Sequence, residues 1–448
     1  MKTKKDILFF LGIGGIGMSA LARWFLAGGY TIYGYDAFRT PLTRQLEKEG
    51  MHVFYTEDVA RVPETVTRVI YTPAISKDHP LFRYFVSQNV KMEKRAAVLG
   101  DISRDLFTIA IAGTHGKTSV TAMVAHILKE AGFPVTAFIG GIAKNFQGNF
   151  VFSPDSKYLV AEADEYDRSY LFLHPDVAVI TSMDADHLDI YSGMDDLRKT
   201  FMQFARRLPE NGKLVLKERL PEPENISVIT YGFSEEAVLK AENIRIEKER
   251  YCFDVKQNKT LLFSPALRLP GLHYVENSLA ATGVALQLGI APAVIREALK
   301  SFTGVQRRFD IRIQTPERIF IDDYAHHPEE LRVTLQTVKT LYPDKKLTVV
   351  FQPHLYSRTR DFVDDFARVL ETADRIILLD IYPAREKPIP GITSQLIADK
   401  IKQTETILMN KEALLPFLEK EKPELLLTLG AGDIGLLVPD IEKILRVS

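Results

Sequence analysis

Phe107-Thr108-Ile109-Ala110-Ile111-Ala112-Gly113-Thr114-His115-Gly116-Lys117-Thr118 is the stretch on which the fold of this chain turns. Its apolar half reads as a buried strand and its glycine-bearing half as a turn. The run Val120-Thr121-Ala122-Met123-Val124-Ala125-His126-Ile127-Leu128 that follows has the apolar spacing of a helix. Strand, glycine turn and helix in that order make a phosphate-binding unit. The glycines let the backbone approach an anion, and the helix N-terminus presents free N–H groups and a partial positive charge. Gly113, Thr114, His115 and Gly116 form the cradle, Lys117 is placed to reach the terminal phosphates of ATP, and the Thr118 hydroxyl is placed to ligate Mg²⁺. Ile111 stands where the general pattern has its first glycine, so the loop is a shortened variant that begins at Gly113.

The same strand-turn-helix rhythm precedes this unit. Ile7 to Leu11 reads as a strand, Met18 to Ala27 as a helix and Thr31 to Tyr35 as a second strand. Between the first two lies Gly12-Ile13-Gly14-Gly15-Ile16-Gly17, with the G-x-G-x-x-G spacing, and Asp36 follows about 20 residues on, where ribose hydroxyls are recognised. Gly12, Gly14, Gly15, Ile16, Gly17 and Asp36 are therefore candidate ligand residues for a diphosphate-bearing nucleotide. The motif alone leaves NAD, FAD and a nucleotide-sugar open.

Two acidic segments follow the phosphate loop, each after a strand: Glu162-Ala163-Asp164-Glu165-Tyr166-Asp167 and Asp184-Ala185-Asp186-His187-Leu188-Asp189. Strand C-terminal ends are where open α/β sheets place ligands. Mg²⁺ takes hard oxygen ligands, which suits Glu162, and His187 is placed to complete or orient that shell. From Lys213 to Leu269 short alternating segments read as antiparallel strands, followed by helices over Tyr274 to Leu288 and Ala293 to Ser301.

Beyond Phe309, the strand candidates Ile319 to Ile321, Leu347 to Phe351, Arg375 to Leu379 and Leu425 to Leu429 alternate with helical patterns such as Pro328 to Leu341 and Phe362 to Leu370. Asp322-Asp323-Tyr324-Ala325-His326-His327-Pro328 and Phe351-Gln352-Pro353-His354-Leu355-Tyr356-Ser357-Arg358-Thr359-Arg360 both follow strands. The histidine pair lacks a third soft ligand nearby, which argues against zinc. Arg358 or Arg360 suits a bidentate grip on a carboxylate. Gly430-Ala431-Gly432-Asp433 is either a ligand-facing turn or a structural one.

The chain has 448 residues, too many for one ordinary core. The expected fold class is α/β with three domains. A Rossmann-like N-terminal domain spans 1–106, a central P-loop ATPase α/β domain with a small antiparallel sheet spans 107–308, and a Rossmann-like C-terminal domain spans 309–448. Lys and Arg total 57 against 58 for Asp and Glu, so no general field attracts nucleic acid or an anionic membrane. The single cysteine, Cys252, cannot form an intrachain disulfide, and Met1 to Asp6 leads into a strand-like run without the pattern of a cleaved leader. No apolar stretch approaches the ~20 residues that span a bilayer. A cytoplasmic setting is expected.

Together the blocks Gly12 to Ser19, Ala112 to Thr118, Glu162 to Asp167, Asp184 to Tyr191, Asn277 within His273 to Ala281, Gly304 to Phe309, Asp322 to Pro328 and Phe351 to Arg360 resemble those of the Mur ligases of peptidoglycan synthesis, nearly end to end. The resemblance implies ATP-dependent joining of L-alanine to UDP-N-acetylmuramate through an acyl phosphate, and so a part in cell-wall biogenesis, cell shape and cell division. It implies a first domain for the UDP-sugar, a central ATPase, and a third domain that brings the amino acid, in a monomer or weak homodimer. Lys117 and Thr118 would contact phosphate and Mg²⁺, with Glu162 and His187 holding metal. Asn277, Arg308 and Asp323 would contact the nucleotide, and Tyr324, His326 and Arg358 would line the alanine pocket. Lys117, His187 and His326 are the expected catalytic residues, with His327 an alternative proton acceptor to His326.

Leu355 stands where many members have a second arginine, which shifts carboxylate recognition onto Arg358. Related ligases adding later residues use a carbamylated lysine after the metal histidine; Lys199 is not assigned to that position, and carbamylation is not expected. The rival readings are a ligase that attaches a ready-made tripeptide to the same UDP-sugar, a nucleotide-responsive ATPase switch, and an NAD-dependent oxidoreductase. The last leaves Lys117 and Thr118 unexplained.

Overall fold

A computed structural model describes residues 6–184, 191–384 and 386–446. The described residues form three sheets. The first is parallel, with strands in the order His52–Phe54, Thr31–Tyr35, Ile7–Leu11, Val66–Tyr71 and Lys91–Lys94. Its middle strand, Ile7–Leu11, is apolar along its length because helices pack on both faces, as parallel pairing requires. The helix Ile16–Ala27 starts directly after the first glycine loop.

The central sheet has eleven strands. Its core is parallel: Val177–Ile180, Phe107–Ala112, Tyr158–Glu162 and Val135–Ala143 lie side by side. The expected small antiparallel sheet is not separate from it. Lys213–Lys217 pairs in parallel with both Val177–Ile180 and Ser227–Gly232, and the later strands extend the same sheet. Antiparallel pairings in this sheet include Val135–Ala143 with Gly148–Val151 and Arg250–Gln257 with Thr260–Phe263. The segment 218–226 crosses over between parallel strands without a helix.

The chain divides into two compact units. One comprises Met1–Arg245, Cys252–Arg268 and Val275–Thr303; the other comprises Ile246–Tyr251, Leu269–Tyr274 and Gly304–Ser448. Within the first unit a single apolar cluster runs from Leu8, Phe10 and Ile13 to Ala110, Ile180, Phe201 and Phe204. The Tyr170 ring lies 5.5 Å from Phe201 and 5.2 Å from Phe204, and a buried ring of this size contributes roughly 2–3 kcal/mol.

The hairpin 135–151 is bolted to the helix Ile16–Ala27. The Asn149 amide, fully buried, donates to the Ile16 carbonyl (2.6 Å) and the Ser19 hydroxyl (3.0 Å), and its oxygen accepts from Arg23. Arg23 in turn pairs with Glu49 at 2.7 Å. Trp24 packs edge-on against Phe152 beside these bonds.

The second unit carries a six-stranded sheet in the order Asp310–Gln314, Ile319–Asp323, Leu425–Leu429, Leu347–Phe351, Arg375–Leu379 and Glu405–Met409, parallel except for its first strand. Phe320, Val350 and Ile377 pack beneath the helices Lys411–Glu421 and Val438–Arg446. The helices Pro328–Leu341 and Val363–Leu370 fall where the apolar spacing puts them.

His273, in the first turn of the helix Leu272–Gln287, belongs to this unit and is half-buried with its Nδ1 enclosed, its ring 4.5 Å from that of Tyr274. Its Nδ1 has no hydrogen-bond partner among the described residues. Burial disfavours the imidazolium and pushes the group down from 6.5 to about 4. The neutral ring is thus fully stabilising above pH 6.5, and that contribution is lost as pH falls toward about 4. Melting temperatures between pH 6.5 and 4 should fall more steeply for the unaltered protein than for H273Q; parallel curves would show that this histidine does not set the acid limb.

Candidate active site

The phosphate loop is shaped by two glycines with positive φ. Gly113 (φ 131°) lies so close to Thr181 that a Cβ there would overlap its hydroxyl, and Gly116 (φ 84°) faces the Asn277 amide oxygen, which a Cβ would approach to 2.7 Å. Gly116 is also the N-cap of the helix Lys117–Glu130. It supplies no side-chain cap, so the first N–H groups are left without the usual side-chain acceptor.

The segment 181–184 braces the loop from behind. The Ser182 hydroxyl accepts from the His115 N–H at 2.8 Å, and the Thr114 hydroxyl accepts from the Asp184 N–H at 2.9 Å. The Thr181 hydroxyl donates to the His115 carbonyl, and the His115 ring lies 3.7 Å from the Asp184 carboxylate.

Lys117 points back into this loop. Its Nζ donates to the Gly113 carbonyl at 2.7 Å and to both Glu165 oxygens at 2.8 and 2.7 Å. The two side chains are 13% and 1% exposed, so the pair is almost fully enclosed. Burial works against the ammonium, but the Glu165, Asp164 and Glu162 carboxylates outweigh it and hold the lysine above its ordinary value. Glu165 is itself pinned, since the Tyr191 hydroxyl donates to its carbonyl at 2.5 Å. The backbone beyond it turns sharply through Asp167 (φ 52°) and Arg168 (φ 54°), which are tied down by Lys94 at 2.8 Å and Asp196 at 2.9 Å.

Thr118 donates to Glu162 at 3.0 Å, so the expected metal-side hydroxyl and carboxylate are brought together. These hard oxygens suit Mg²⁺. Room for the carboxylate comes from Gly140, where a Cβ would overlap it. His187 lies outside the described residues.

The first glycine loop also takes the expected form. The Asp36 carboxylate accepts from the Gly14 N–H at 2.8 Å, and a Cβ at position 14 would come equally close to it. Gly15, Ile16 and Gly17 line a cavity of about 280 Å³ whose wall includes Glu162 and Asp164, so the first glycine loop and the acidic segment after the strand Tyr158–Glu162 open onto one space. Gly12 sits behind it, close to Thr72.

In the second unit, Asp323 accepts from the Phe309 and Ala325 N–H groups at 2.6 and 2.7 Å. Burial pushes its carboxyl up to about 7 against the pull of Arg308 and those two donors. Arg307 and Arg308 lie 5.2 and 5.0 Å from the centre of the Tyr324 ring. The His326 ring stands 5.4 Å from Tyr324 and 5.6 Å from His354, with Nδ1 3.0 Å from the Tyr324 carbonyl.

His327 has a different task. It caps the helix Pro328–Leu341 in a reciprocal box with Glu330. The two arginines also separate: Arg360 is exposed and pairs with adjacent Asp361 at 2.7 Å, whereas Arg358 is half-buried. The turn Gly430–Asp433 is held structurally. Arg307 donates to its Gly430 carbonyl, and Asp433 accepts from Gln352 at 2.7 Å.

The sequence reading passed over Glu165 and Gly140. Glu165 lay inside a quoted acidic block, and the signal for it was the need of an enclosed lysine for a counter-charge. Gly140 and Gly141 inside a strand pattern signal a close approach by another group.

Comparison with known proteins agrees with this geometry. Residues 8–106 match the Mur ligase family, catalytic domain; 111–285 match the Mur ligase middle domain; and 307–432 match the Mur ligase, glutamate ligase domain. A UDP-N-acetylmuramate–L-alanine ligase of Christiangramia forsetii is 46% identical over 443 residues, covering 98% of this chain and 97% of its own. The solved UDP-N-acetylmuramate-alanine ligase of Thermotoga maritima superposes with a TM-score of 0.85 at 30% identity, over 99% of this chain and 98% of that one. A murein peptide ligase of Psychrobacter arcticus, at 22% identity and a TM-score of 0.74 over 99% of both chains, shares the fold.

Replacing Glu165 by Gln strands a buried ammonium beside its weaker neighbours. Chemical denaturation should show a loss of roughly 3 kcal/mol, and the double variant K117M/E165Q should recover most of it. A double variant as unstable as the two single losses added together would mean the pair is not coupled.

Proposed function

The chain belongs to the Mur ligase family, and from that premise we propose that it joins L-alanine to the lactyl carboxylate of UDP-N-acetylmuramate with cleavage of ATP, a step in peptidoglycan precursor synthesis. The observation that carries this reading is the shared cavity, in which the glycine loop suited to a nucleotide diphosphate faces Glu162, beside the loop suited to ATP. We assign the UDP-sugar to residues 1–106, ATP to 107–308 and the amino acid to 309–448, in a cytoplasmic setting. No described helix is long and apolar enough to cross a membrane.

A carboxylate oxygen is too poor a leaving group for an amine to displace. ATP supplies the remedy by giving its γ-phosphoryl group to that oxygen, and Mg²⁺ offsets the charge on the transferred group. Thr118 and Glu162 would hold the metal, together with His187. Lys117 is pre-positioned with its ammonium charged and shielded from water, which is what stabilising a spreading phosphoryl charge requires. Asn277, flush against Gly116, would contact the nucleotide from the same side, and Asp323 and Arg308 would contribute from the third domain.

The resulting acyl phosphate accepts the free amine of alanine at its carbonyl carbon. The C–N bond forms, phosphate leaves with the C–O electron pair, and the amine proton passes to a base. We assign that base to His326. With Nδ1 facing the Tyr324 carbonyl, the proton belongs on Nδ1 and Nε2 is the basic nitrogen, whereas His327 is engaged as a helix cap. Arg358 would hold the alanine carboxylate.

Phosphate release should require both UDP-N-acetylmuramate and L-alanine. K117A should lower it by about a thousandfold while UDP binding persists; near-normal turnover in that variant, or release with UDP-N-acetylmuramate alone at the full rate, would sink the assignment. Replacing Arg358 by Lys should raise the KM for L-alanine about tenfold and leave that for ATP unchanged, as steady-state kinetics with each substrate varied would reveal.

A further inference from the structure

Arg95 has no role in the site described so far. It heads the helix Arg95–Asp105 directly after the strand Lys91–Lys94, which places it at the C-terminal edge of the first sheet, on the same edge as Gly12 to Gly17 and Asp36. Its side chain lies close against Gly17. A Cβ at that position would come within 3.0 Å of Nη1, 3.2 Å of Cδ and 3.3 Å of Cζ. In a dinucleotide fingerprint the third glycine serves close packing of helix on strand. Here it clears a seat for a cation.

Other basic side chains in this corner have acidic partners. Arg68 pairs with Glu93 at 2.5 Å, Lys94 with Asp167 at 2.8 Å, and Arg23 with Glu49 at 2.7 Å. Arg95 is half-buried yet makes no ion pair or side-chain hydrogen bond among the described residues. A partly desolvated guanidinium without a counter-charge is poised to take an anion. Among the described residues it is the one cation lining the cavity of about 280 Å³, whose central-sheet wall carries the carboxylates Glu162 and Asp164. The cavity is therefore polarised, and an anionic group entering it is drawn to Arg95 and away from the acidic wall.

We propose that Arg95 grips the diphosphate of the UDP-sugar and so fixes which way the substrate lies in the cavity. The inference rests on the reading of the first domain as a UDP-sugar site. Diphosphate is favoured over the lactyl carboxylate because Arg95 touches Gly17, in the first turn of the helix whose N-cap is Gly15, where backbone N–H groups converge on an anion. With the diphosphate held there, the sugar and its lactyl group are directed toward Glu162, where the phosphoryl group must arrive.

The test is calorimetric titration of the full chain and its R95A and R95K variants with UDP, uridine and UDP-N-acetylmuramate, with melting temperatures as a check on folding. R95A should bind UDP about 10- to 100-fold more weakly and uridine as before, with R95K intermediate. In turnover, the KM for UDP-N-acetylmuramate should rise by the same factor while kcat stays within a few-fold. UDP affinity within twofold of the unaltered protein would overturn the proposal. So would a loss seen with UDP-N-acetylmuramate but not with UDP, which would hand the guanidinium to the carboxylate. Failure of the unaltered protein to bind UDP would instead remove the reading of the first domain, and this inference with it.

Discussion

A lysine ammonium enclosed by protein must be neutralised or it will shed its proton, and the central sheet is arranged around meeting that demand at Lys117. Two backbone carbonyls are turned toward it, which the Gly113 conformation permits, and Glu165 is brought against it from the neighbouring strand's exit. Holding Glu165 there bends the chain through two consecutive non-glycine residues in the left-handed region, each costing on the order of 1–2 kcal/mol. Lys94, Asp196 and Tyr191 tie that bend down. Strain of this kind persists only where its surroundings over-determine it. The result is a charge fixed in place before any ligand arrives.

Parallel topology then decides where everything else gathers. Strands that run the same way deliver their exits to one edge, and the chemistry-bearing residues sit on those exits: Gly12 after one strand, Asp36 after the next, Arg95 after a third. In the central sheet Gly113, Glu162 and Thr181 follow the same rule. The sheet of the second unit repeats it with Tyr324, Gln352 and Gly430. Side chains that are far apart in sequence become neighbours because their strands share a direction.

Much of this was legible before any coordinates. The apolar period of Phe107 to Ala112, the glycines behind it and the helical spacing beyond are local signals, and local signals survive into the fold. So did the pairing of Thr118 with Glu162, since both follow from the ends of adjacent strands. What was not legible depends on the third dimension. Nothing in the order of residues separates Arg358 from Arg360, or His326 from His327, because the difference lies in which side of a short helix faces the sheet and which ring caps a helix. The alternating segments from Lys213 onward read as antiparallel strands, yet the first of them pair in parallel, because alternation fixes which face is buried and not which way the neighbouring strand runs. Glu165 and Arg95 were invisible as a pair of opposites: one charge with its partner supplied by the fold, the other with its partner left to be found.

The Asn149 bolt has a consequence for how such a chain can change over evolutionary time. The first sheet and the central sheet share one apolar cluster, and the hairpin 135–151 reads the backbone of the helix Ile16–Ala27 through a single amide that both donates and accepts. A nucleotide-sugar module transplanted from another lineage would meet this hairpin as a mismatched lock unless positions 16, 19, 23 and 149 travelled together. The first 106 residues are a domain in sequence but not an interchangeable part. A seam near residue 107 would have to cut through a common core.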